Sequence, residues 1–371
     1  MKQVEPASVE STSEPLSEPL SESLSQWINT LTTELAINSG LRFSEQGLQL
    51  SPLAGDAGFR RYYRVNTCPE SLLVDAPQDS GKSESATYFA ELSSILRCQH
   101  VNTPAIYACD GVNNRLLIES FGSTDLLDVL SPDTVDGHYA NALFMLLKLQ
   151  QVPASALKVP TYDDRLLRQE MALFPEWFAS ELLGYDLSPE ERVLFDELCD
   201  VLIAQALEQP QVLVHRDYHS RNLMYQESAE IGVIDFQDAV WGPITYDLAS
   251  LLRDCYVRWS PKDVQRWALA YGEMAHNAGV IPAVSPQQFL QWFDLMGLQR
   301  HIKVLGIFAR LNLRDGKSRY LNDLPLVIRY VLEVAQQYPQ AQGFAIWFEK
   351  KLLPIAIKQP WYRDHTRAGD K

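Results

Sequence analysis

Three oxygen-bearing side chains define the chemistry open to this chain. Asp217, Asn222 and Asp235 follow one another at intervals of five and thirteen residues, in Val212-Leu213-Val214-His215-Arg216-Asp217-Tyr218-His219-Ser220-Arg221-Asn222 and Gly232-Val233-Ile234-Asp235-Phe236-Gln237-Asp238. The apolar, β-branched runs 212–214 and 231–234 read as buried strands. A carboxylate just past such a strand sits at the mouth of a core, where backbone and side chain are both held still. A catalytic loop followed by a short hairpin would bring all three together. Phosphoryl transfer needs that set: one carboxylate to accept the proton of an attacking hydroxyl, an Asn and a second Asp to hold Mg²⁺ against nucleotide phosphates. Any one of these Asp residues alone reads better as a turn or cap residue. The three together carry the inference.

The elements that must position them change character along the chain. Residues 1–25 repeat Ser-Glu-Pro-Leu, a composition that buries too little to offset chain entropy, so a disordered acidic tail is expected there. From Gln26, Trp27, Ile28, Leu31 and Leu35 recur at helical spacing as far as Gly40. Strand-like stretches follow at 47–53, 59–66 and 71–76, with Gly55-Asp56-Ala57-Gly58 as the first turn, then a helix over 83–97 and strands over 105–108 and 115–119. Beyond Gly122 the apolar spacing is helical over 139–150, 166–183, 189–207, 246–253, 262–278, 286–311 and 324–337. The fold class expected is α+β in two lobes: a small antiparallel-sheet lobe over 26–122, a larger helical lobe over 123–371, and a hinge at 119–123.

Composition narrows the setting. A chain of 371 residues, 46% hydrophobic, is long enough to bury a large core. Its net charge of −15 argues against a nucleic-acid partner, which needs a basic stripe, and against an anionic membrane surface. Cysteines 68, 98, 109, 199 and 255 are odd in number, scattered and without a C-x-x-C pair, so neither a disulfide framework nor a zinc site is indicated. No apolar run approaches the roughly 20 residues of a membrane span, and the start lacks a secretion signal's apolar core. A soluble, cytoplasmic protein is expected.

His215-Arg216-Asp217-Tyr218-His219-Ser220-Arg221-Asn222, Ile234-Asp235-Phe236 and Tyr246-Asp247-Leu248-Ala249 together resemble the aminoglycoside phosphotransferase family of kinase-like folds. Within it, the run 237–248 and the run 294–311 look like the bacterial anomeric kinases that phosphorylate N-acetylmuramate and N-acetylglucosamine at C1 in peptidoglycan recycling. Protein kinases share the His-Arg-Asp and Asn pattern. Here, however, His219 stands where they usually carry Lys, Gln237 replaces the Gly of Asp-Phe-Gly, and twelve residues from Asp235 to Asp247 leave no room for a long activation segment. The resemblance implies a kinase using ATP and Mg²⁺, with a small-molecule sugar acceptor, Asp217 as base, and Asn222 and Asp235 as metal ligands. It also implies that His215 supports the catalytic loop and that Asp247 braces it or caps its own helix.

The nucleotide side is carried by fewer residues. Gly55 and Gly58, with Arg60 following, form a small-residue turn that could lie over phosphates or be a plain hairpin turn. The family's third-strand Lys is missing from Ser71-Leu72-Leu73-Val74-Asp75-Ala76-Pro77: either an Arg of the 60–64 cluster substitutes, or the pairing is dispensed with, or the protein does not turn over, and Glu91 lacks the partner such a Lys would give it. The hinge at Glu119 and Phe121 would offer backbone groups to an adenine edge. For the sugar, Trp241 is a candidate stacking platform, although a core Trp is the plainer reading. Arg253 and Arg300 are candidates for the lactyl carboxylate of N-acetylmuramate, with Lys303 on the same helical face as Arg300. The segment 162–170 could add polar groups. Two other functions stay open: a kinase for an aminoglycoside, choline or homoserine, and a nucleotide-binding module without turnover.

Overall fold

A computed structural model describes residues 24, 26–27, 30–31, 41–43, 49–53, 60–76, 85–227 and 230–370. The expected tail up to residue 23 and the Gly55–Gly58 turn lie outside these. Two layers organise the rest. The first is a five-stranded antiparallel sheet of strands Leu50–Leu53, Arg61–Val65, Ser71–Asp75, Arg115–Glu119 and Ile106–Asp110, in that spatial order. Its register is continuous through the centre, Tyr62 opposite Val74 and Leu72 opposite Ile118. The central strand buries Ser71, Leu73 and Val74, and its neighbour Arg115–Glu119 is buried over four of five residues, as strands covered on both faces require. One cover is the helix Ala86–Cys98, which starts where the Ser85 hydroxyl accepts from the Tyr88 N–H and turns Phe89, Leu92 and Leu96 inward.

The second layer is helical and is built around one long element, Pro286–Leu313. Proline in its first turn and the Ser285 hydroxyl, which accepts from Gln288 N–H, fix its start. Every residue but one from Trp292 to Ala309 is buried, so it is a central column and not an amphipathic surface helix. At Gly306 a Cβ would stand 2.4 Å from the backbone of Leu173, which lets a second helical segment cross in contact. That second segment corrects the continuous helix expected over 166–183: Asp164–Met171 is α-helical, and Phe174–Leu182 is wound in the wider π form. Pro175 lacks the N–H that an unbroken α-helix would use there.

Two small antiparallel pairs interrupt the helices. Gln211–Val214 pairs with Val240–Pro243, and Leu223–Met224 pairs with Gly232–Val233. They hang the loops bearing Asp217, Asn222 and Asp235 from the face of the helical layer.

Candidate active site

The strand Gln211–Val214 is buried at Val212, Leu213 and Val214 and delivers the chain into a loop held almost entirely by buried acceptors. Asp247, wholly buried in the helix Thr245–Leu252, accepts from the backbone N–H of His215 at 2.6 Å and of Arg216 at 3.0 Å. Of the two roles open to it, bracing is the one observed; the N-cap position of its helix is Ile244. Burial pushes its carboxyl up to about 6, against the pull of His215 and the two backbone N–H groups. His215 is also fully buried: Nε2 lies 2.9 Å from the Ile234 carbonyl, and Nδ1 accepts from Asp217 N–H at 3.2 Å. The ring therefore ties the loop of Asp217 to that of Asp235. Arg216 has φ 77° and Asp235 φ 63°, left-handed conformations that cost non-glycine residues of order 1–3 kcal/mol and persist only where neighbours over-determine them.

The hairpin brings the other two candidate oxygen ligands into register. Ile234 N–H donates to the Asn222 carbonyl at 3.1 Å, next to the Val233–Leu223 pair. Asn222 Nδ2 donates to the Asp217 carbonyl at 3.0 Å, which leaves Oδ1 as the end available to a cation. Asp235 receives Gln237 Nε2 at 2.7 Å on one oxygen only. Among the described residues no group of three or more His, Cys, Asp or Glu could hold a metal. One amide oxygen and one carboxylate still fit Mg²⁺, which takes its remaining ligands from phosphates and water.

Behind the loop lies an ionic cluster. Glu170, 6% exposed, accepts from Arg216, from the Tyr162 hydroxyl and from Lys303 Nζ at 3.0 Å; Lys303 also donates to the Tyr246 hydroxyl at 3.0 Å. Burial raises the Glu170 carboxyl, but Lys303 and Arg216 outweigh it and hold it below its ordinary range. The same balance acts on Asp217: burial lifts it, while Lys303, His219, Arg216 and His215 bring it below its ordinary value. The balance favours the carboxylate form of Asp217.

Asp217, Asn222 and Asp235 line a single cleft of about 530 Å³ between sheet and helices, together with Arg60, Glu119 and Phe121. The sheet wall presents Tyr62, Leu72 and Ile118. At the hinge, the N–H groups of Glu119 and Ser120 donate to the Ala105 and Glu70 carbonyls, whereas that of Phe121 has no partner among the described residues. The remaining candidates are elsewhere. Trp241 is half-buried on the strand Val240–Pro243, its backbone bonded to Pro160 and Tyr162. Arg253 pairs with Asp294 and lies over the Phe293 ring, beside a different cavity. Arg300 is 4% exposed and donates to Cys255 Sγ at 3.5 Å. None of these three lines the cleft. Of the residues that support the cleft, Glu170 was covered in the sequence only as the end of the polar segment 162–170, and Tyr256 went unrecognised. Tyr256 carries no sequence signal.

Residues 49–283 match the phosphotransferase enzyme family, APH. The chain belongs to this family. It is 41% identical over 292 residues to the N-acetylmuramate/N-acetylglucosamine kinase of Pseudomonas putida, covering 78% of this chain and 85% of that one. With the enzyme of the same name from Pseudomonas aeruginosa it is 40% identical, over 85% and 91%. Among solved structures it resembles ADP-bound aminoglycoside phosphotransferase APH(2'')-Ib, with a TM-score of 0.57 at 14% identity, over 85% of this chain and 99% of that one.

As an APH phosphotransferase the chain departs from the expected pattern at the third strand. Asp75 ends that strand and pairs with Arg115 Nε at 3.0 Å, and Glu91 is exposed to solvent. Among the described residues, the cation that reaches the cleft from this side is Arg60, 7% exposed, its guanidinium 5.2 Å from the centre of the Phe89 ring. Among the described residues no helix is long and apolar enough to cross a membrane.

Proposed function

We propose that this protein transfers the γ-phosphoryl group of ATP to the anomeric hydroxyl of N-acetylmuramate and N-acetylglucosamine, as a cytoplasmic step of peptidoglycan recycling. The supporting observation is that the base and both metal-ligand candidates face one cleft, in a chain about 40% identical to kinases named for those two sugars.

Asp217 accepts the proton of the C1 hydroxyl. The freed oxygen bonds to the γ-phosphorus as the bond from phosphorus to the ADP oxygen breaks. A hemiacetal hydroxyl is more acidic than an ordinary alcohol, so holding it in line matters more than the strength of the base. Asn222 Oδ1 and Asp235 would hold Mg²⁺, which neutralises charge on the diphosphate as it leaves. Arg60 sits where it can pair with nucleotide phosphates in place of the missing strand lysine, and the Phe121 N–H and Glu119 carbonyl can meet the adenine edge. The His215 bridge and the Asp247 brace keep Asp217 fixed relative to the hairpin that carries Asp235.

The test is a product assay. Purified protein with ATP and Mg²⁺ should convert both sugars to phosphates that have lost the reducing end. A product phosphorylated elsewhere and still reducing would refute the anomeric assignment, and phosphorylation of kanamycin or choline in preference to either sugar would refute the acceptor class.

A further inference from the structure

Several cations that pack into the helical layer are committed to carboxylates: Arg216 and Lys303 to Glu170, Arg253 to Asp294, Arg258 to Glu333. Arg300 has no such partner among the described residues, but it donates to Cys255 Sγ and stands behind the cleft wall. Arg221 is different. It lines the cleft directly before the metal-ligand candidate Asn222, and its guanidinium lies 3.7 Å from the centre of the Tyr256 ring. Among the described residues it has neither a hydrogen-bond nor an ion-pair partner. Stacking at that distance holds the guanidinium in place and leaves its in-plane N–H donors unclaimed. A planar fork held by its face and open at its edge is suited to a carboxylate or phosphate.

Its placement separates those two ligands. Arg60 stands on the sheet wall, whereas Arg221 stands on the catalytic loop, stacked on Tyr256, with Tyr320 also lining the cleft. The same cleft carries Asp125, Asp217 and Asp235, so an anionic acceptor entering it meets repulsion that a neutral sugar does not. N-acetylmuramate differs from N-acetylglucosamine by a lactyl ether that ends in a carboxylate. Resting on the sugar-kinase reading above, we propose that Arg221, stacked on Tyr256, receives that carboxylate and is the residue that admits the anionic sugar alongside the neutral one.

Calorimetric binding of each sugar, and kinetics with each, test this in the full chain with R221M and R221K. Arg221 makes one stacking contact and no hydrogen bond or ion pair among the described residues, so both variants should stay folded with at most a small drop in unfolding temperature. R221M should weaken N-acetylmuramate relative to N-acetylglucosamine by about tenfold or more, in Kd and in kcat/KM, as loss of a charge-assisted pair implies. R221K keeps the charge without the fork and should fall between. Equal losses on both sugars, a raised KM for ATP, or an unchanged ratio would overturn the proposal; the first two would mean that Arg221 serves the phosphoryl group. If the wild type binds both sugars but transfers no phosphate to them, the assigned reaction fails and the binding ratio still decides the role of Arg221. If it binds neither, both fall.

Discussion

The two walls of the cleft are built on opposite plans. On the helical side, position is enforced by side chains: Asp247 holds two backbone N–H groups, His215 joins two loops, and Glu170 gathers two cations and a phenol. On the sheet side the wall is Tyr62, Leu72, Ile118 and a hinge whose useful groups are backbone, with Arg60 as its cation. The first plan fixes reacting atoms, which phosphoryl transfer requires; the second provides a flat apolar slot for a ring. Substitutions of Asp217 and of the groups that brace its loop should therefore reduce turnover, and those on the sheet wall should reduce nucleotide affinity.

The sharpest way to break this division is D217N. It should lower kcat by about a thousandfold, within the usual range for a lost general base, while ATP binding by calorimetry is unchanged. An unchanged kcat would remove Asp217 from the mechanism. Next in size, D247A leaves two buried N–H groups without an acceptor and should lower stability by roughly 2–5 kcal/mol in denaturant titration. Its residual kcat should fall as well, because the loop loses its anchor. On the other wall, R60M should raise the KM for ATP about tenfold with little change in kcat, as expected for one charge-assisted contact. A loss in kcat alone would erase the distinction between the walls.

The smallest effect is one of pH. The folded Asp247 carboxyl, pushed up to about 6, lies above its unfolded value near 4, so the folded state binds the extra proton. That contribution is fully present below about pH 4 and is lost as pH rises through about 6. The unfolding free energy of D247N, which cannot ionise there, should fall less between pH 4.5 and 7 than that of the wild type. Parallel curves would show that the group is not perturbed.

The same contrast explains what the sequence disclosed. The helical wall was largely legible because side chains carry it: Asp217, Asn222 and Asp235 appear as letters at readable spacing, and the strands behind them are runs of Val, Leu and Ile. The long helix was legible too, over 286–311 of Pro286–Leu313, from the spacing of its apolar residues. The π-wound turn at Phe174–Leu182 was not, because its apolar spacing differs little from that of an α-helix. Trp241, Arg253 and Arg300 were chosen by residue type, which says nothing about the direction a side chain takes. Arg253 meets Asp294 forty-one residues away, a contact that only the packed helices create. Tyr256 lacks any motif; its role depends on the loop that folds back against it.

One close contact has a mechanical consequence. The strand residue Gly232 packs so tightly under the hinge that a Cβ there would stand 2.4 Å from the Phe121 ring. The Phe121 N–H has no partner among the described residues, and Gly232 lies three residues before Asp235. The segment at Phe121 and the hairpin that leads to Asp235 are therefore in direct contact, so that an approach of either toward the other is resisted. Linkage is reciprocal, so a ligand that engages only the hinge, such as adenosine, should tighten Mg²⁺ binding, and Mg²⁺ should tighten adenosine by the same factor.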